Sequence, residues 1–300
     1  MGIYQGEIFA LITSVCWTIS SLSYESAGKK IGSVPMNLIR MSMALIYISL
    51  YTLIFRGFVL PVDADFNTWL WLLLSGLVGF VIGDIMLFQS FVIIGARISM
   101  LVMSMVPPIT AIMGWIILGE TMTGQQIFAM MITISGIVMV LLKRKKNNSV
   151  KNKSGLSTTV VGLLLAFGGA LGQAGGLVIS KKGMGNYDAF AASQIRIIAG
   201  VVGYIIIISF AGLWKKTLSG LKNVSAMKAV SLGSFVGPFL GVSFSLLAIK
   251  YTTTGIAATL TSLAPIIIIF PSVIINKEKV AFMEVFGAVI SVIGVALFFL

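Results

Sequence analysis

The sequence predicts an all-α integral membrane protein, with ten transmembrane helices arranged as a 5+5 inverted repeat around a central cavity. Three observations lead there. The chain has 300 residues, of which 58% are hydrophobic and only 10% charged, where soluble domains carry about 25% charged residues. Its apolar stretches have the length needed to cross a bilayer, about 20 residues each, and follow one another with short gaps. The second group of five also repeats the first.

The spans run from about 4 to 24, 35 to 55, 67 to 92, 97 to 118 and 125 to 142, then 156 to 179, 189 to 211, 228 to 249, 254 to 275 and 281 to 300. Residues 1–142 form one five-helix unit and 156–300 the other. The polar stretch 143–155, with its basic run from Lys143 to Lys153, links them. The first span lacks a basic leader and nine more follow it, so it reads as a retained helix and not a cleaved signal.

Four ordered matches reveal the repeat. Asn37-Leu-Ile-Arg40 matches Ser193-Gln-Ile-Arg196 at a shift of 156, and Ser104-Met-Val-Pro-Pro-Ile109 matches Thr261-Ser-Leu-Ala-Pro-Ile266 at 157. Glu120 matches Glu278, and 132–142 matches 290–300, both at 158. The third and eighth spans align less clearly. Five crossings are an odd number, so the second copy enters from the opposite side. Inverted repeats of this kind place a binding site near the membrane midplane and let the halves rock around it.

Composition excludes several function classes. The net charge of +12 sits in loops between apolar spans and not on one folded face, which argues against nucleic acid. Histidine is absent and Cys16 is the single cysteine, so the usual proton shuttle, a disulfide and a metal cluster are all missing. No cofactor is expected. No Gly-Lys-Ser/Thr nucleotide loop is present, so ATP drive would need another chain. Fifteen loop cations lie on the linker side and four (Arg56, Lys181, Lys182, Lys250) on the other, which makes the linker side cytoplasmic by the positive-inside rule.

Candidate site residues follow from cost and spacing. Asp84 is the one acid well inside a span, where an ionisable group is expensive enough to suggest function; it could take a proton, pair with a cationic substrate, or serve helix packing. Trp17, Ser20 and Tyr24 recur at helical spacing on the first span, and at a shift of 156 Gln173 stands where Trp17 does, so two related helices offer polar groups at matching depth to a cavity. Arg40 and Arg196 sit about five residues into their spans, within reach of headgroups, and read as structural anchors. Glu120 and Glu278 read as anchors at helix ends. Pro107, Pro108 and Pro265 remove backbone hydrogen bonds and should kink the fourth and ninth spans, making them gate or hinge candidates. Glycines at four-residue spacing (Gly79 and Gly83; Gly168, Gly172 and Gly176; Gly233, Gly237 and Gly241) permit close helix packing.

The proline-centred fourth and ninth spans with their acidic turns (Pro107-Pro108 to Leu-Gly-Glu120; Pro265 to Lys-Glu278), Arg40 and Arg196, and Ala248-Ile-Lys-Tyr-Thr252 give the chain a resemblance to the drug/metabolite transporter superfamily, in its ten-helix EamA-type branch. The resemblance covers essentially the whole chain. It implies a 5+5 inverted repeat with a cavity lined mainly by spans one, three, four, six, eight and nine, and termini in the cytoplasm, opposite to the charge count. Asn276-Lys277 replaces the Leu118-Gly119 of the first acidic turn. The expected function is a secondary active transporter in a bacterial plasma membrane, exporting small metabolites, amino acids or drug-like compounds by alternating access. Its drive is the proton gradient or a downhill gradient of solute. The expected partners are that small-molecule substrate, protons and the lipid bilayer. A lipid flippase of the same fold is the first alternative, and a membrane enzyme acting on lipid, which would gather acids or histidines at one interface, is the second.

Overall fold

The computed structural model describes residues 4–142, 158–267, 271 and 282–297; the linker 143–155 and Glu278 lie outside them. Every regular element among the described residues is helical. Helices α1 (Gln5–Ile31) and α2 (Ser33–Arg56) are joined by Gly32 alone, at φ 90°, a value that costs glycine nothing and any other residue strain. Helices α3 (Phe66–Gly76) and α4 (Asp84–Ile94) flank a π-helical segment, Leu77–Gly83. The α5 helix (Ala96–Val102), a 3-10 turn (Met103–Met105) and α6 (Val106–Leu118) share the fourth apolar stretch, and α7 (Gly124–Leu142) closes the first half.

The second half has α8 (Thr158–Met184), α9 (Ala189–Phe210), the short α10 (Trp214–Gly220) and α11 (Val224–Ser234). A second π segment, Phe235–Gly241, then leads into α12 (Val242–Tyr251), α13 (Thr254–Thr261), α14 (Ala264–Ile267) and α15 (Phe282–Ala296). Side chains that suit an N-cap start several of them: Asp65, Asp188 and Asn223 accept from Thr68, Ala191 and Ala226 backbone N–H groups at 3.2, 2.9 and 3.0 Å.

Six helices are long and apolar enough to cross a membrane among the described residues, fewer than the ten spans expected. One reason is visible in the fourth: the turn at Met103–Met105 divides it, leaving α6 too short to count. Pro107 and Pro108 lie in the first turn of α6, where a missing N–H is harmless, so they start a new helix and do not kink a continuous one. Pro265 likewise stands in the first turn of α14.

The contacts between halves are reciprocal. Helices α2 and α9, α6 and α13, and α7 and α15 pack in pairs. On α7 and α15, Gly136 lies against Ser291 while Gly294 lies against Thr133, and each contact is the other shifted by 158. The π segments behave the same way. Gly79 and Gly83 of the first meet Gly176 and Gly172 of α8, and Gly237 and Gly241 of the second meet Ser20 and Cys16 of α1. At the shift of 156, Cys16 and Ser20 correspond to Gly172 and Gly176. Such exchange of i with j is what a two-fold relation between like units produces.

Candidate functional site

Between the halves lies a cavity of about 940 Å3, its open mouth included, bordered by α1, α4 to α6, α8, α9, α12, α13 and the first π segment. Trp17, Ser20, Tyr24 and Gln173, singled out by spacing, all border it, as do Phe80, Phe88 and Arg196. The helical stripe on α1 therefore faces inward. The serine hydroxyls there are turned onto their own helix, Ser20 donating to Trp17 O at 3.2 Å and Ser21 to Thr18 O at 3.0 Å, while the Tyr24 hydroxyl is buried without a hydrogen-bond partner among the described residues.

Asp84 does not border the cavity but stands behind its wall, 1% exposed. One carboxylate oxygen pairs with Arg40 Nη2, and the other accepts from Gln173 Nε2 at 2.6 Å. Gln173 is thus both a wall residue and the connection between the cavity and the buried acid. Arg40 is itself 1% exposed, with its guanidinium carbon 4.5 Å from the Phe88 ring centre and 5.1 Å from that of Tyr24. The expectation that Arg40 and Arg196 reach headgroups is corrected here. Each lies in the bundle interior, because α2 and α9 begin at Ser33 and Ala189 and carry the arginines about two turns deep.

Arg196 is 3% exposed and stacks over Phe80 at 4.5 Å. Among the described residues no carboxylate lies within salt-bridge distance of it and it makes no hydrogen bond; its Nε is buried without a partner. A cation–π contact contributes about 0.5–2 kcal/mol, whereas taking an ion out of water costs several kcal/mol. The stacking does not offset the burial.

Glu120 belongs to a second polar group, remote from Asp84. It accepts from the Thr254 backbone N–H and hydroxyl at 3.0 and 2.5 Å and pairs with Lys181 at 2.6 Å. Lys181 also donates to Thr252 O at 2.7 Å, and Thr252 donates to Glu7 at 3.2 Å. Together they fasten the ends of α1, α6, α8, α12 and α13; Glu120 itself ties the end of α6 to α8 and α13, where the expectation was one helix end. Nearby, Arg56 pairs with Asp63 at 2.6 Å, and Tyr187 donates to Asp63 at 2.9 Å. Partial burial pushes the Tyr187 phenol up to about 12, against the pull of Arg56. Asp63 is held below the usual carboxylate value: its slight burial, which acts upward, is outweighed by the hydrogen bond from Tyr187 and the charge of Arg56.

Sequence reasoning did not identify the π segments or the place of Arg196 at the cavity wall. A signal for the first existed: Val78-Gly79 with Gly83, and Val236-Gly237 with Gly241, form the same pattern 158 residues apart. π segments recur at functional sites, and Phe80 of the first is the ring beneath Arg196. Among the described residues no group of three or more acids and cysteines could hold a metal ion.

No curated protein matches the chain. A solved structure, described only as "Crystal structure of protein", is similar over 97% of this chain and 95% of its own, with a TM-score of 0.69 at 13% identity, which is a likeness of fold. The EamA-like transporter family model matches twice, over residues 4–142 and 160–300. The two matches begin 156 and end 158 residues apart, the same spacing as the internal repeat. The chain, helical in every regular element among the described residues and matching the family model twice, belongs to the EamA-like transporter family and is a membrane transporter.

Proposed function

We propose that the protein is a secondary active transporter that exports small metabolites by alternating access, its ten spans forming two inverted units of five. The observation that carries this reading is the buried group of Arg40, Asp84, Gln173 and Arg196 at the cavity wall between the units. Charges so placed in a membrane protein mark substrate or ion routes. The reciprocal packing supports rocking of one unit against the other. The Glu120, Lys181, Thr252, Thr254 and Glu7 group supports a closed state at its end of the bundle, since opening there separates α1, α6, α8, α12 and α13.

The coupling ion is assigned as the proton and its site as Asp84. A proton on that carboxylate removes the charge that holds Arg40, so protonation is linked to the packing of α2 against α4. Reconstituted protein should move a small solute from a metabolite panel without ATP, faster with a pH gradient. Asp84→Asn should lose the gradient-driven part and keep exchange down a solute gradient. An absolute need for ATP in purified liposomes would overturn secondary transport, and undiminished uphill flux in Asp84→Asn would overturn the role of Asp84.

A further inference from the structure

Arg196 brings to the cavity wall a positive charge that no carboxylate among the described residues pairs with. The buried group holds two guanidinium ions and one carboxylate, and that carboxylate is engaged by Arg40 and Gln173. The second repeat has no acid to match it: at the shift of 158, the position of Asp84 is taken by Val242, which also borders the cavity.

Several hydroxyl and amide groups of the wall are engaged in bonds of their own, while the Tyr24 hydroxyl is buried without a hydrogen-bond partner among the described residues. Ser20, Ser21 and Ser245 donate to carbonyls of their own helices, and the Gln173 amide donates to Asp84 and to Gly79 O at 3.4 Å. Among the described residues of the wall, the guanidinium of Arg196 is then the charged donor left for a ligand, with the Tyr24 hydroxyl as a neutral one. Its planar fork matches a carboxylate with two parallel bonds. One unbalanced cation neutralises one negative charge, so a dianion would bring an excess charge into a desolvated site. An ammonium group would find no free acid there, Asp84 being occupied. Phe80 lies against Arg196, and elsewhere the wall is aromatic and thioether, with Trp17, Phe88, Phe91 and Met103, which suits an apolar body of aromatic size.

We infer that the cavity binds organic monocarboxylates with an apolar or aromatic body, the carboxylate seated on Arg196. This rests on the cavity being the substrate site of the transport reading, and it narrows the cargo to net anions over zwitterions and cations. It also gives Arg196 the partner that its burial requires.

The test is binding by purified protein in nanodiscs, with phenylacetate, the neutral isostere phenylacetamide and the cation phenethylamine as probes. Intrinsic fluorescence is the readout, since Trp17 borders the cavity. Phenylacetate should bind roughly tenfold or more tightly than phenylacetamide, and phenethylamine not measurably. Arg196→Gln should erase the acid-over-amide preference, and Arg196→Lys should keep part of it. Equal binding of acid and amide by the unsubstituted protein, no binding of the acid up to its solubility limit, or a full preference surviving in Arg196→Gln would each overturn the inference. If Arg196→Gln does not fold, the acid-over-amide comparison in the unsubstituted protein and the partial preference of Arg196→Lys decide. Flux in liposomes is scored separately. Acid-selective binding without ATP-free flux would sustain the inference and overturn the transport reading, and flux without acid selectivity would do the reverse.

Discussion

The two halves of the molecule handle the same problem differently. Each carries an arginine at the same place in its second long helix, Arg40 on α2 and Arg196 on α9, and each guanidinium lies 4.5 Å from a phenylalanine ring. Arg40 has Asp84 from its own half, whereas in the half of Arg196 the position that matches Asp84 is Val242. Both rings, Phe88 and Phe80, come from the first half, and the second half contributes Gln173 to the acid of the first. A duplicated unit would have given two internal ion pairs. With no acid at that position in the second half, the described residues hold one closed pair and one cation without a carboxylate partner.

The closed pair gives the largest expected effect. Breaking a buried pair by removing one partner costs about 3–5 kcal/mol because the other charge is stranded. Asp84→Ala strands Arg40, which is 1% exposed, and should lower the melting temperature in mild detergent more than any single change at Arg196. The double variant Arg40→Met with Asp84→Ala should recover much of the loss. A melting temperature for Asp84→Ala equal to that of the unsubstituted protein would mean that the pair contributes nothing to the fold.

How far this contrast could be read from sequence depends on what each feature leaves in the residue pattern. Helical period placed Trp17, Ser20 and Tyr24 on one face, and the 156 shift carried that face to Gln173; all four border the cavity because period and symmetry are local signals. Asp84 stood out because an acid in an apolar run needs a reason. The depth of Arg40 and Arg196 did not show. For Arg40 the apolar run begins at 35, yet α2 begins at Ser33, across Gly32 alone from α1; for Arg196 the helix begins at 189 as expected, and its burial comes from the packing of α9 against α2, α3 and α12, which no residue count shows. That Asp84 pairs with Arg40 and not with Arg196 is a matter of tertiary packing, 44 residues apart in sequence. The broken fourth span was half legible: Pro107 and Pro108 predicted an interruption, but as a bend, where the chain uses them to begin a helix.

A second, smaller contrast lies in the contacts of the π segments. At Gly172 an added Cβ would lie 2.5 Å from Gly83 Cα, while the matching position on α1 is Cys16, whose own Cβ would be met at 3.1 Å by one added at Gly241. One interface is backbone on backbone and the other admits a side chain. Gly172→Ala should therefore cost about 1–3 kcal/mol of overpacking strain, seen as a lower melting temperature. Cys16→Ala should cost about 1 kcal/mol or less. Equal losses at the two sites would show that the interfaces are equivalent and that the asymmetry is one of residue names only.

The last contrast can be removed by giving the second half the acid it lacks. Val242→Asp places a carboxylate at the position that matches Asp84, on a helix that packs against the one bearing Arg196. If Arg196 is the seat of a ligand carboxylate, an internal carboxylate competes for the same guanidinium, and the roughly tenfold preference for phenylacetate over phenylacetamide should fall to near parity, a change of about 1.4 kcal/mol. Stability should move less than in Asp84→Ala, because the new acid arrives beside an unpaired cation. A variant that folds and still prefers the acid tenfold would break the link between the repeat and the site. Loss of the preference in Val242→Asp with its survival in Val242→Asn would identify charge, and not the filling of the wall, as the cause.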